Sequence, residues 1–146
     1  MKYPLFDIYW DQKEIEYVNK VIKRGSYWAT GPEIQKFESL IGNFLGIDYV
    51  LTFNSGTSAE HALLLAYGIE GGEVIVPSFS FISTVNCVVL AGATTVFADI
   101  ETTSMGLDPV DVVSKITDKT KAIIPMHYAG KACKNIEKLR KIADDK

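Results

Sequence analysis

No run of about 18 apolar residues occurs in the chain, so no transmembrane helix is expected. No Lys follows its small-residue turn and no Gly-x-Gly-x-x-Gly occurs. Those absences remove the nucleotide loop that ends in Gly-Lys-Ser/Thr and the dinucleotide fingerprint. The N-terminus has no apolar core of a secretory signal. Cysteine is scarce: Cys87 and Cys133 stand far apart. Without a secretory signal they are expected as free thiols in a reducing compartment, Cys87 in the core and Cys133 as an incidental loop thiol. Positive charge is in deficit, with 15 Lys and Arg against 18 Asp and Glu, a net charge of -3. That balance argues against a nucleic-acid or anionic-membrane partner. The stretch 134–146 mixes both signs and reads as a solvated helix face. There is no internal repeat, no low-complexity segment and no metal-ligand set.

What is there is a chain of 146 residues, 47% hydrophobic, enough for the core of a single domain spanning 1–146. Asp11-Gln12-Lys13-Glu14 reads as a capping box opening a helix, with Ile15, Val18, Val21 and Ile22 as its apolar stripe and Gly25 closing it. A loop from Ser26 to Gly31 follows. Pro32 suits the first turn of a second helix whose apolar face carries Ile34, Phe37, Leu40, Ile41 and Phe44, and Gly46 stops it.

From residue 48 onward the reading is four rounds of strand and helix. The expected strands are 49–53, 73–77, 94–98 and 122–125. The expected helices are 59–67, 82–90, a short one from Asp108-Pro109 to Ile116, and 135–143. Continuous apolar strands alternating with helices predict an α/β fold of three layers, αβα, with a mostly parallel sheet covered on both faces. Ligands in such sheets bind beyond the carboxyl ends of the strands. Here those ends are 54–58, 78–81, 99–101 and 127–130, so four loops are expected on one rim. The chain stops after a helix that should lead into a fifth strand, and an incomplete domain is expected: residues 1–47 giving the N-terminal helices and a substrate-side loop, 48–146 the βα units.

The turn Asn54-Ser55-Gly56-Thr57-Ser58-Ala59 carries the clearest chemical signal. Gly56 lets the backbone bend and an anion approach. The first amides of a following helix have no internal partner, and the helix dipole favours negative charge there. Thr57 and Ser58 add hydroxyls. A phosphate cradle and ordinary Ser/Thr capping of the helix are both open on these residues alone.

Five segments, in order, resemble the DegT/StrS-type sugar aminotransferases, pyridoxal-phosphate enzymes of fold type I. They are Tyr27-Trp28-Ala29-Thr30-Gly31-Pro32, the turn from Asn54 to Ala59, Glu73-Val74-Ile75-Val76-Pro77-Ser78-Phe79-Ser80-Phe81, Gly92-Ala93-Thr94-Thr95-Val96-Phe97-Ala98-Asp99, and Thr120-Lys121-Ala122-Ile123-Ile124-Pro125-Met126-His127-Tyr128-Ala129-Gly130. Together they span nearly the whole chain. The resemblance implies part of the large domain of such an enzyme, in the branch that aminates nucleotide-linked keto sugars. By it, Gly56, Thr57 and Ser58 match the turn holding the phosphate of pyridoxal 5'-phosphate. Phe81 matches the aromatic residue that stacks on the pyridine ring; the plain alternative is a Phe filling the core. Tyr27, Trp28 and Ala29 match a loop near the nucleotide-sugar substrate, or cover the sheet edge. His127 matches a residue of the rim, or is a histidine hydrogen-bonded between turn and sheet. His61 has no motif partner and is expected to be structural or exposed.

The family's ring-nitrogen Asp and its Schiff-base lysine match no residue of this chain. Lys121 starts a strand at the far end, and Lys131, although on the rim side, matches no catalytic position. No catalytic residue is therefore assigned, and the chain alone is expected to be inactive, a fragment of a parent that moves an amino group from an amino acid, with glutamate expected, onto a nucleotide-linked keto sugar. The resemblance also implies a cytoplasmic homodimer. Two other readings stand beside this one: a non-catalytic phosphate-ligand-binding or regulatory module, and a sugar dehydratase of the same fold.

Overall fold

In a computed structural model, residues 7–146 are described. The chain divides into two compact units, 1–52 and 53–146. In the first, Asp11 caps helix α1 (Gln12–Arg24) through the full capping box: its side chain accepts from the Lys13 amide and Glu14 reaches back to the Asp11 amide. Gly25 ends α1 with φ 73°, a conformation that favours glycine. Helix α2 (Pro32–Leu45) opens on its proline and ends on Gly46, also left-handed. Both helices lie where the sequence predicts them. Their apolar stripes are not buried, however: α1 has no buried residue and α2 buries only Gly42.

The predicted strand at 49–53 is not a strand. Tyr49 is 92% exposed and Leu51 80% exposed. The reason is non-local. A strand needs a neighbour for its amides, and the Thr52 amide and hydroxyl both donate instead to Glu38 Oε1 on α2, each at 2.9 Å. Among the described residues the sheet therefore has three strands rather than four.

The second unit begins with α3 (Gly56–Ala66), which starts three residues before the predicted helix at 59. It continues through β1 (Glu73–Pro77), α4 (Ile82–Leu90), β2 (Thr94–Ala98), α5 (Pro109–Lys115), β3 (Thr120–Ile123), a 3-10 turn at Tyr128–Gly130 and α6 (Ile136–Asp144). The strand order is β2-β1-β3, and both pairings are parallel. β3 lies two residues earlier than predicted. A register shift between Glu73 and Val74 places Lys121 opposite no residue of β1, and the Ile124 amide still reaches the Ile75 carbonyl at 2.9 Å.

β1 is central and buried on both faces, so its period-2 alternation feeds two cores. Val74 and Val76 pack with Leu64 of α3 and Cys87 and Val88 of α4. Ile75 packs with Ala98, Leu107, Val112 of α5, Cys133 and Leu139 of α6. The αβα layering expected from the alternation is thus present in this unit.

Cys133 departs from the expectation of an incidental loop thiol: it is 2% exposed, inside the second core. A loop can be buried only if its backbone groups are satisfied. The Cys133 amide donates to His127 Nδ1 at 2.9 Å and the Lys134 amide to Ser104 Oγ at 3.0 Å. Both cysteines are free, one in each core. A Cβ added at Gly106 would lie 2.5 Å from Cys133 Sγ and 3.1 Å from its Cβ. Gly106→Ala is therefore expected to destabilise the fold by about 1–3 kcal/mol, the usual cost of overpacking. Cys133→Ala in the same chain should recover part of that loss, as read from urea-denaturation midpoints; additive losses in the double variant would reject the clash.

Candidate cofactor site

Ser55 is the residue that caps α3, with extended backbone at φ -157° and ψ 155°. Its Oγ accepts from the Ser58 amide at 3.1 Å, and its carbonyl accepts from the Ala59 amide at 3.2 Å. The two earlier amides, Gly56 and Thr57, make no hydrogen bond among the described residues. A Cβ built on Gly56 would meet nothing within 4 Å. Capping by Ser55 thus leaves open amides on the same turn. Ser55 takes one orphan amide, and two remain open beside a glycine that leaves the approach clear. Ser58 can offer its hydroxyl, which lies 3.0 Å from Ser55 Oγ, but its amide is already engaged. No acidic side chain stands in the first turn to compete with an anion.

The other loops of this unit gather beyond the carboxyl ends of the strands. The Ser78 amide, just past β1, donates to the Ala98 carbonyl at the end of β2 at 2.9 Å. The Phe79 and Tyr128 rings stack with centroids 4.6 Å apart, tying the loop after β1 to the turn after β3. Phe81 occupies the N-cap position of α4 with extended backbone and is 72% exposed. That exposure sets it apart from a ring that fills the core. α4 packs on α3, and the Cys87 thiol donates to the Thr57 carbonyl at 3.2 Å. The turn at Gly56 and Phe81 are thereby carried on two helices in direct contact.

His127 stands at the start of the turn after β3. Its Nδ1 accepts from the Cys133 amide, so the neutral ring carries its proton on Nε2 and presents a donor there. Lys131, the lysine after this turn, donates from Nζ to the Thr103 carbonyl. His61, on α3, has a buried Nε2 with no partner among the described residues.

The loop after β2 holds a group that the sequence reading did not single out. Glu101 accepts from the amides of Thr103 at 2.6 Å, Ser104 at 2.9 Å and Gly106 at 3.4 Å, and from the Ser104 hydroxyl. The Ser104 hydroxyl and these amides hold its carboxyl down to about 2, against an ordinary value of 4.5. An acidic residue followed within three positions by Thr and Ser was the available signal.

Tyr27, Trp28 and Ala29 belong to the first unit. Tyr27 has φ 54°, the left-handed region that a tyrosine rarely adopts. Arg24 holds the loop in that shape. Its guanidinium donates to the carbonyls of Ser26 and Tyr27, both at 2.9 Å, and to Glu33 Oε1 at 2.6 Å. That hydrogen bond lowers the Glu33 carboxyl below its ordinary value. Tyr27 and Trp28 are left exposed at the loop surface.

A parallel sheet whose connecting loops gather beyond its strand ends gives an α/β unit of the kind in which ligands bind at that edge. The sequence profile of the DegT/DnrJ/EryC1/StrS aminotransferase family matches residues 9–146. The chain belongs to this family. It is 38% identical over 143 residues to GDP-perosamine synthase of Vibrio cholerae, covering 97% of this chain and 39% of that protein. Among solved structures it resembles the aminotransferase from Psychrobacter cryohalolentis, with a TM-score of 0.86 and 33% identity over 94% of this chain and 35% of the other. It also resembles NtdA from Bacillus subtilis with bound cofactor PMP, with a TM-score of 0.84 and 32% identity over 92% of this chain and 32% of the other. The chain therefore spans between about a third and two fifths of the length of these relatives.

Glu101 has a pH signature. Its folded-state carboxyl is depressed, so its contribution to stability is present above about 4.5 and is lost as pH falls through about 2. Glu101→Gln should lower the urea midpoint at neutral pH, and the gap to wild type should close on acidification across that window. A gap that stays constant from pH 7 to pH 2 would show that the carboxylate charge is not what holds the loop.

Proposed function

We propose that this chain is the cofactor-phosphate and substrate-side portion of a pyridoxal-phosphate-dependent sugar aminotransferase. The observation that carries the reading is the start of α3: two open amides, Gly56 and Thr57, beside a glycine with clear space in front of it. The residues present fit the cofactor. Gly56 and Thr57 would hold its phosphate through backbone N–H groups at the positive end of the helix dipole, with the Thr57 and Ser58 hydroxyls adding donors. Phe81 would cover one face of the pyridine ring and restrict its tilt. The cofactor, when bound, supplies the electron sink for amino transfer. His127, with its proton fixed on Nε2, would donate to an oxygen of the ligand on the rim. Tyr27 and Trp28, held by Arg24, would contact the nucleotide part of the substrate.

The family and the name of the Vibrio cholerae relative support a nucleotide-linked keto sugar as acceptor, with an amino acid, glutamate in this reading, as donor. The parent is proposed to work as a homodimer in the cytoplasm. Among the described residues no helix is long and apolar enough to cross a membrane.

Calorimetry of this chain with pyridoxamine 5'-phosphate, pyridoxamine and inorganic phosphate tests the reading. The phosphorylated ring compound should bind tighter than either part alone. Phe81→Ala should weaken it by about 2- to 10-fold, the range set by an aromatic contact of about 0.5–1.5 kcal/mol, while leaving inorganic phosphate unaffected. Equal affinity for the ring compound and for bare phosphate would instead identify a phosphate-binding module with no use for the ring.

A further inference from the structure

Cys87 is fully buried at the interface of α3 and α4, thirty residues from the turn it touches. Its thiol donates to the Thr57 carbonyl at 3.2 Å. Thr57 is the second residue of α3 and carries one of the two open amides. Its carbonyl has two lone pairs, and the helix itself uses one. The thiol takes the other, from the side of α4. Glu60 Oε2 lies 3.8 Å from the same sulfur. Two helices are therefore joined by a polar contact placed one peptide away from the open amides, in a packing layer otherwise made of Leu64, Ile69, Val74, Val76 and Val88.

We propose that Cys87 is a positioning residue for the phosphate-binding turn: by donating to the Thr57 carbonyl it fixes the peptide whose neighbouring amides point at the ligand. The inference rests on the cradle reading given above and deepens it. A peptide unit is planar, so holding the carbonyl of Thr57 orients the Ser58 amide that Ser55 caps, and the open Thr57 amide hinges on the Cα next to that fixed plane. Burial pushes the Cys87 thiol up, and the Glu60 charge adds to the shift, so the sulfur keeps the proton it donates. Glu60 is likewise raised by burial. A hydroxyl could make the same bond, whereas a methyl group could not.

The test compares wild type, Cys87→Ser and Cys87→Ala for binding of pyridoxamine 5'-phosphate and of pyridoxamine, which lacks the phosphate. The readout is the ratio of the two affinities, which a loss of general stability does not move. Cys87→Ala should reduce the preference for the phosphorylated compound roughly five-fold, the value of one hydrogen bond of about 1 kcal/mol. Cys87→Ser should retain it. An unchanged preference in Cys87→Ala overturns the positioning role and leaves the cradle standing. A wild-type chain with no preference for the phosphorylated compound overturns the cradle, and the positioning role with it.

A second measurement needs no variant. Coupling between two sites is reciprocal, so phosphate binding must tighten the Cys87 contact by the same factor. Saturating pyridoxamine 5'-phosphate should slow alkylation of Cys87 by iodoacetamide about five-fold, followed by peptide mapping. Cys133, in the opposite core, reports the general protection that ligand binding gives the whole unit, and the five-fold effect at Cys87 is counted beyond it. Cys87 protection no greater than that of Cys133 overturns the proposal even if the alanine variant does not fold.

Discussion

The second unit depends on one strand that water cannot reach. Val74, Ile75 and Val76 have no exposed surface, and β1 is paired on both edges. A strand in that position must offer apolar side chains to both faces, and every one of its amides must find a neighbour. Both demands are met by residues far away in the chain: α3 and α4 on one face, α5 and α6 on the other. The ligand rim follows from this arrangement. Parallel strands deliver all their carboxyl ends to the same edge, so the loops after β1, β2 and β3 have nowhere else to meet.

At that edge the accounting of backbone amides decides what is chemically available. Most donors are already committed. Ser55 satisfies Ser58, Glu101 gathers the amides of Thr103, Ser104 and Gly106, and Ser104 takes the Lys134 amide. The loop after β2 is thus a closed network and an unsuitable anion site, with its carboxylate already at the centre. The start of α3 is the contrasting case. It has two uncommitted amides, no acidic residue in its first turn and open space at Gly56. Of the two loops, only the start of α3 leaves donors uncommitted.

Features that depend on neighbours in sequence were legible before any coordinates. Asp11 and Glu14 announce α1, Asp108 and Pro109 announce α5, and Gly25 and Gly46 end their helices as read. β1 and β2 lie at the residues expected from their β-branched runs. What failed depends on distant partners. The run at 49–53 has the composition of a strand, but its hydrogen bonds go to Glu38, fourteen residues away from Thr52. β3 slid by two residues because its register is set by β1, with a shift beside Glu73. Cys133 looked like a loop thiol because nothing near it in sequence shows that Gly106 leaves it a hole. The Ser55-capped turn at the start of α3 was readable because a helix start is a local event. The clamp of Arg24 on Glu33 and the contact of Cys87 with Thr57 were not, since each joins residues that only folding brings together.

The choice of a thiol at position 87 has its own physical logic. The site is fully buried, where an unpaired hydroxyl would carry a desolvation cost of about 1–3 kcal/mol whenever its bond broke. A thiol is a weak donor with the packing behaviour of a small hydrophobe. It can therefore sit against Val74, Val76 and Val88 at little cost and still supply one proton to a carbonyl. That combination gives a contact that steadies a helix start without locking it. A stronger, charged partner at this point would add its own field to the one the ligand has to meet. Glu60 avoids this to the extent that burial raises its carboxyl toward the neutral form.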